Sequence, residues 1–174
     1  MGIQFETDYN METLTAMAKG LRRTVRKKRS RRVHIFAAVV LILGLLTILA
    51  TTAGGEPLGA SGVVTLLAML VVILVSLFED KLNAWFARKR LLPGTEHAVA
   101  TFEEDGYVSA TSMSESKFSY AQIVAVAETA RYFVFALSSC HTQAYDKRNI
   151  RGGSVEDFRA FIAEKTGKPI ANIK

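Results

Sequence analysis

Two stretches without a charged residue organise the chain, from Val33 to Gly55 and from Pro57 to Phe78. Their centres, IFAAVVLILGLLTILA and VVTLLAMLVVILVSLF, are apolar on every side, whereas a surface helix is apolar along one stripe. About 20 apolar residues in a helix cross a bilayer core of about 30 Å. The pattern therefore predicts two transmembrane helices, over 33–53 and 63–80. TTAGGEPLGASG between them, rich in glycine and free of Lys and Arg, predicts a tight external turn over 54–62. The 32 mostly polar residues before the first block argue against a cleaved signal peptide.

The flanks are amphipathic. GIQFET suggests an N-terminal strand, and NMETLTAMAKGLRRTV places Leu14, Met17, Ala18, Leu21 and Val25 on one helical stripe, with Asp8 or Asn10 as its cap. This helix, within a segment 1–32, is expected to run on into the first span. Gly20 would be its weak point, at a cost of about 1 kcal/mol relative to Ala. After the second span, Phe78, Leu82, Trp85, Phe86 and Lys89 continue a stripe through an extension over 81–94, which Pro93-Gly94 stops. Both stripes need an apolar partner, and the C-terminal region offers one.

Residues 95–174 change period. Two strands flank Asp105-Gly106, a hairpin signal. SKFSYAQIVAVAET and RYFVFALSS follow, joined by a turn near Ala130, and HTQAYDKR supplies a further strand. Tyr132 to Leu137 is apolar on both faces and predicts a central strand covered on two sides. Ser154 and Asp157 make a capping-box-like pair for a helix whose apolar face is Val155, Phe158, Phe161 and Ile162, ended by Gly167 and Pro169. The expected fold is thus an α+β membrane protein. A two-helix transmembrane hairpin with cytoplasmic helical extensions carries a small antiparallel sheet of about five to seven strands, closed by a C-terminal helix, in a pleckstrin-homology-like outline.

Charge orients this picture. The net charge is +6, yet eight of the eleven residues in RRTVRKKRSRR are basic, and without them 14 Lys and Arg face 16 Asp and Glu. The excess is local. Arg22, Arg23, Arg26, Lys27, Lys28, Arg29, Arg31 and Arg32 precede the first apolar block; Arg88, Lys89 and Arg90 follow the second. Cations gather on the cytoplasmic flank because they resist translocation, so both termini are expected in the cytoplasm of a multi-pass protein. Each cation near an anionic surface contributes about 1 kcal/mol, which makes anionic headgroups the expected partner. The run holds no aromatic platform, so nucleic acid is disfavoured. His34, Trp85 and Phe86 fall where interfacial side chains belong.

Chemistry is sparse. Cys140 is alone, which excludes an internal disulfide, and Cys140-His141 has no second pair at zinc-ligand spacing. His97 stands apart from both. No phosphate loop, nucleophile elbow or kinase signature occurs. Glu103, Glu104 and Asp105 sit at a hairpin tip, and Ser109, Ser112, Ser114, Ser116 and Ser119 have no neighbouring histidine in the sequence. No enzyme, cofactor or metal is expected. The reading is a membrane-anchored, cytoplasm-facing interaction or regulatory module. It would engage lipid and a cytoplasmic protein, with Lys147 and Arg148 as a candidate partner surface. The alternative is a subunit of an oligomeric transporter or channel, against which stands the lack of an ionisable residue inside either span. Homo-oligomer packing through Gly44 is left open.

The combination of FEEDGYV (102–108), FSYAQIVAVAETARYFVF (118–135), YDKRNI (145–150) and VEDFRAFI (155–162) resembles the YcxB-like family of small bacterial membrane proteins. A Trp tends to occupy the place of Tyr120 there, and a Pro that of Asp146. The resemblance implies a short N-terminal segment, a two-helix hairpin and a C-terminal β domain in a bacterial inner membrane. It implies no activity.

Overall fold

The computed structural model describes residues 2–55 and 57–173. Glu56, in the expected external turn, lies outside them. The chain forms two compact units, Met1–Lys27 with Asn83–Lys174, and Lys28–Leu82.

The first unit opens with β1 (Ile3–Asp8), whose Ile3, Phe5 and Thr7 point inward in strict alternation. It pairs antiparallel with β2 (His97–Phe102), Ile3 opposite Phe102 and Asp8 opposite His97. Everything from Tyr9 to Glu96 is therefore an insertion between two neighbouring strands, and Tyr9 N–H bonds Glu96 O at 2.7 Å to close its base. β3 (Tyr107–Thr111) and β4 (Glu115–Phe118) extend this sheet, and the two-residue β8 (Ile150–Arg151) flanks β1, giving the order β4-β3-β2-β1-β8. The N-terminal strand is thus interior, where the sequence offered it only as an addition.

A second sheet runs β7-β6-β5-β9: β7 (Thr142–Asp146), β6 (Tyr132–Ala136), β5 (Ala125–Glu128) and β9 (Ile170–Asn172). The single sheet expected from the sequence is divided because SKFSYAQIVAVAET is two strands separated by a 3₁₀ turn at Tyr120–Gln122, and each strand joins a different sheet. β9 lies parallel to β5, so the C-terminal helix does not end the fold.

Between the sheets lies an aromatic core of Phe5, Phe102, Tyr107, Phe133, Phe135, Tyr145 and Phe158. Phe5 and Phe158 meet edge to face at 4.6 Å, an arrangement favoured by the ring quadrupoles. Phe158 and Ile162 come from α5 (Val155–Thr166), which starts at the full Ser154–Asp157 capping box and ends at Gly167 in the left-handed conformation, φ 62°.

β6 is buried on both faces for two different reasons. Phe133 and Phe135 enter the core; Tyr132, Val134 and Ala136 face the other way. Tyr132 and Val134 there join a smaller cluster with Ala127, Ala144 and Ile173, against which Ala16 and Met17 pack. Ala16 and Met17 belong to α1 (Met11–Arg23), capped by the Asn10 side chain, which accepts from the Glu12 and Thr13 amides. Leu14 and Leu21 bury this helix's apolar stripe, worth about 1.5–3 kcal/mol each. The other expected stripe stays open: Leu82, Trp85 and Phe86 are exposed, and Ala84 is the residue of α4 (Glu79–Lys89) that is buried.

The second unit holds α2 (Lys27–Ala53) and α3 (Ala60–Leu77), two helices long and apolar enough to cross a membrane. Most of their large side chains are exposed. Thr47, Thr51, Thr52 and Thr65 return their hydroxyls to carbonyls of their own helix, which satisfies these four without water. At Gly44 an added Cβ would stand 2.8 Å from Met69 Sδ. The glycine considered for contact between copies is thus occupied within the hairpin. α1 does not run on into α2: the chain turns at Thr24–Arg26, where Thr24 donates through both N–H and Oγ1 to Gly20 O. α3 likewise ends at Phe78 before α4 resumes.

Candidate functional site

Helix dipoles favour acids at the N-terminus and cations at the C-terminus. Three helices obey: α1 has Glu12 first and Arg22 and Arg23 last, α4 has Glu79 and Asp80 first and Arg88 and Lys89 last, and α5 has Glu156 and Asp157 first and Lys165 last. α2 opposes the rule. Its first turn has no acid, and Lys27, Lys28 and Arg29, followed by Arg31 and Arg32, stand exposed at its positive end. Helix stability disfavours this arrangement by about 0.3–1 kcal/mol for each cation in the first turn. Arg26 differs from its neighbours. Its Nε donates to Ser139 O at 2.6 Å, tying the last turn before α2 to the β6–β7 connection.

His34 sits one turn after Ser30, with Nδ1 2.8 Å from Ser30 O and Nε2 3.9 Å from Glu79 Oε2. On α4, Lys89 Nζ lies 3.6 Å over the Trp85 ring, and Phe86 meets Trp85 edge-on at 5.0 Å. This leaves an exposed aromatic pair under a cation, followed by exposed Arg90.

Lys147 and Arg148, the candidate partner surface, each belong to an ion-pair group. Lys147 is only 13% exposed and donates to Glu128 Oε1 and Thr129 O, both at 2.6 Å. Arg159 holds the same carboxylate through Nε at 2.9 Å and a terminal nitrogen at 2.7 Å. The Arg159 guanidinium draws the Glu128 carboxyl down to about 2, against the upward push of its burial. Arg148, largely exposed, bonds Asp146, which also accepts two bonds from Arg131; Arg131 in turn reaches Glu12 of α1. Asp146 also caps the 3₁₀ turn Lys147–Asn149 by accepting from Arg148 N–H. Periodicity gives no hint of these two groups, because their members are strand-end and helix residues as far as 119 positions apart across one bond (Glu12 and Arg131).

Tyr120 donates to Glu103 O at 2.5 Å and Gly106 O at 2.9 Å, pinning the acidic hairpin tip; burial raises its hydroxyl to about 12. Glu104 at that tip lies 3.6 Å from Lys165. The serines, expected to lack a histidine, do acquire one. His141 lines a groove with Ser109, Ser114 and Ser116, although its ring bonds none of them among the described residues. No cluster of three His, Cys, Asp or Glu side chains suited to a metal occurs among the described residues.

No family model, curated protein or solved structure matches this chain.

Proposed function

We propose that the chain is a membrane-anchored module presenting a binding domain to the cytoplasm of a bacterium. In this reading α2 and α3 span the inner membrane, the exposed cations of α2 lie against anionic headgroups, and Trp85 and Phe86 sit at the interface. The domain has a pleckstrin-homology-like outline and binds a partner; it does not catalyse a reaction. The observation that carries the reading is the run of cations at the dipole-disfavoured start of a 27-residue apolar helix. Positions that cost helix stability are explained by an external anion. The resemblance to the YcxB-like family, two sheets and a C-terminal helix support the same outline.

Cysteine labelling tests the orientation. In spheroplasts, Ser61→Cys should react with a membrane-impermeant maleimide, while the exposed native Cys140 stays unlabelled until the membrane is permeabilised. Labelling of Cys140 in intact spheroplasts overturns the reading.

A further inference from the structure

The inward face of the five-stranded sheet changes character along its length. The row Phe102–Tyr107–Phe118 is aromatic; the next row, Ala100–Ser109–Ser116, is small. The sheets therefore leave a groove of about 290 Å³. Opposite these serines, β7 turns Gln143 into the same space.

Gln143 is 7% exposed. Its Oε1 accepts from the Tyr107 and Tyr145 hydroxyls, each at 2.7 Å, and these two bonds fix the carboxamide. Nε2 has no partner among the described residues. No fully sealed side-chain nitrogen or oxygen is left unpartnered, so Nε2 opens on the groove. The Ser109, Ser116 and Thr142 hydroxyls, which also line it, make no hydrogen bond among the described residues. The two Nε2 N–H donors are thus turned to the groove and free to donate to whatever occupies it.

We infer that this groove binds a neutral small molecule of the amide or ester class through a carbonyl oxygen, which accepts from Gln143 Nε2 and is flanked by the Ser109 and Ser116 hydroxyls. Gln143 offers donors and turns its own acceptor away, so the ligand supplies the acceptor. No Lys, Arg, Asp or Glu is among the described residues lining the groove, and His141 is its one ionisable side chain of basic type, so a phosphate or carboxylate would meet no permanently charged partner there. Met17, Leu14 and Phe118 provide apolar walls for the carbon body. The inference is independent of how the chain sits in a membrane.

The test titrates N-methylbenzamide, and in parallel benzoate, into the full ¹⁵N-labelled chain in detergent micelles, up to about 10 mM, a range that detects weak fragments. The neutral amide should shift the Gln143 side-chain NH₂ resonances and bind at least about tenfold tighter than benzoate, the charged analogue of similar shape. Gln143→Glu keeps the acceptor for both tyrosines and removes the N–H donors; binding should fall about tenfold or more. Ser116→Leu, at an exposed edge-strand position lining the groove, adds bulk there while leaving the Gln143 carboxamide chemically intact, and should have the same effect in a chain with an unchanged β spectrum. Absence of any shift at Gln143, equal binding of benzoate, or binding indifferent to both substitutions overturns the inference.

Discussion

Gly20 lies directly against Val134: a Cβ at position 20 would stand 2.8 Å from Val134 Cγ1 and 3.0 Å from its Cβ. α1 therefore approaches β6 more closely than any residue with a side chain allows. The glycine looks in sequence like a helix defect, and in the fold it is the point of closest packing. Gly20→Ala should cost about 1–3 kcal/mol through overpacking, even though alanine is the better helix former by about 1 kcal/mol. Val134→Ala removes Cγ1 but keeps the Cβ 3.0 Å away, so in that background the same substitution should cost less. A urea-unfolding double-mutant cycle on the full chain in detergent measures the coupling, and additive effects would refute the contact.

The Glu128 carboxylate gives the domain a defined acid sensitivity. Its folded value of about 2 lies below the ordinary 4.5, so its contribution is complete above about 4.5 and is lost as pH falls toward about 2. The shift corresponds to about 3 kcal/mol at neutral pH. Glu128→Gln should lower stability by about that much, leaving Lys147 without its carboxylate, and should flatten the pH dependence between about 4.5 and 2 relative to the parent. Thermal unfolding at several pH values reads both effects. Parallel pH curves for the two proteins would remove Glu128 as the source.

The insertion of the helices between β1 and β2 predicts how the chain can be cut. A fragment of residues 95–174 lacks an interior strand and the helix that covers β6, so it should be aggregated or molten. Residues 1–27 joined to 83–174 by a flexible Gly/Ser linker restore every element of the first unit. That fusion should unfold cooperatively, whereas the shorter fragment should not. Circular dichroism and denaturant titration distinguish them.

Within the basic run, Arg26 is bonded to the domain, whereas Lys27, Lys28, Arg29, Arg31 and Arg32 are exposed. Replacing Lys27, Lys28 and Arg29 together by Gln should weaken attachment to anionic over neutral nanodiscs by up to about 1 kcal/mol per charge, with the β spectrum unchanged. Arg26→Gln should instead loosen the β6–β7 connection, because its bond to Ser139 O is lost. At about 0.15 M salt, anionic discs should suppress nucleic-acid binding, while neutral discs should permit it weakly and without sequence preference. Sequence-selective binding in anionic discs would make the run a nucleic-acid site.

The sequence by itself determined whatever depends on neighbours along the chain. The two apolar helices, the Asp105-Gly106 hairpin, the Ser154 capping box and the doubly buried strand at Tyr132 are all local patterns with a local physical cause: helix length, turn conformation, orphan amides or alternation. Tertiary structure decided which strands share a sheet. SKFSYAQIVAVAET reads as one segment, and only the space around the aromatic core divides it at Tyr120, sending Phe118 to one sheet and Val126 to the other. It likewise made β1 interior, turned Gly20 from a weak helix position into a packing contact, took Lys147 from the surface into a bond with Glu128, and freed Gln143 Nε2 by giving its oxygen to two tyrosines. Each of these outcomes rests on residues far apart in the chain. Hydrophobic periodicity says which face of an element is buried, but carries no information about what it is buried against.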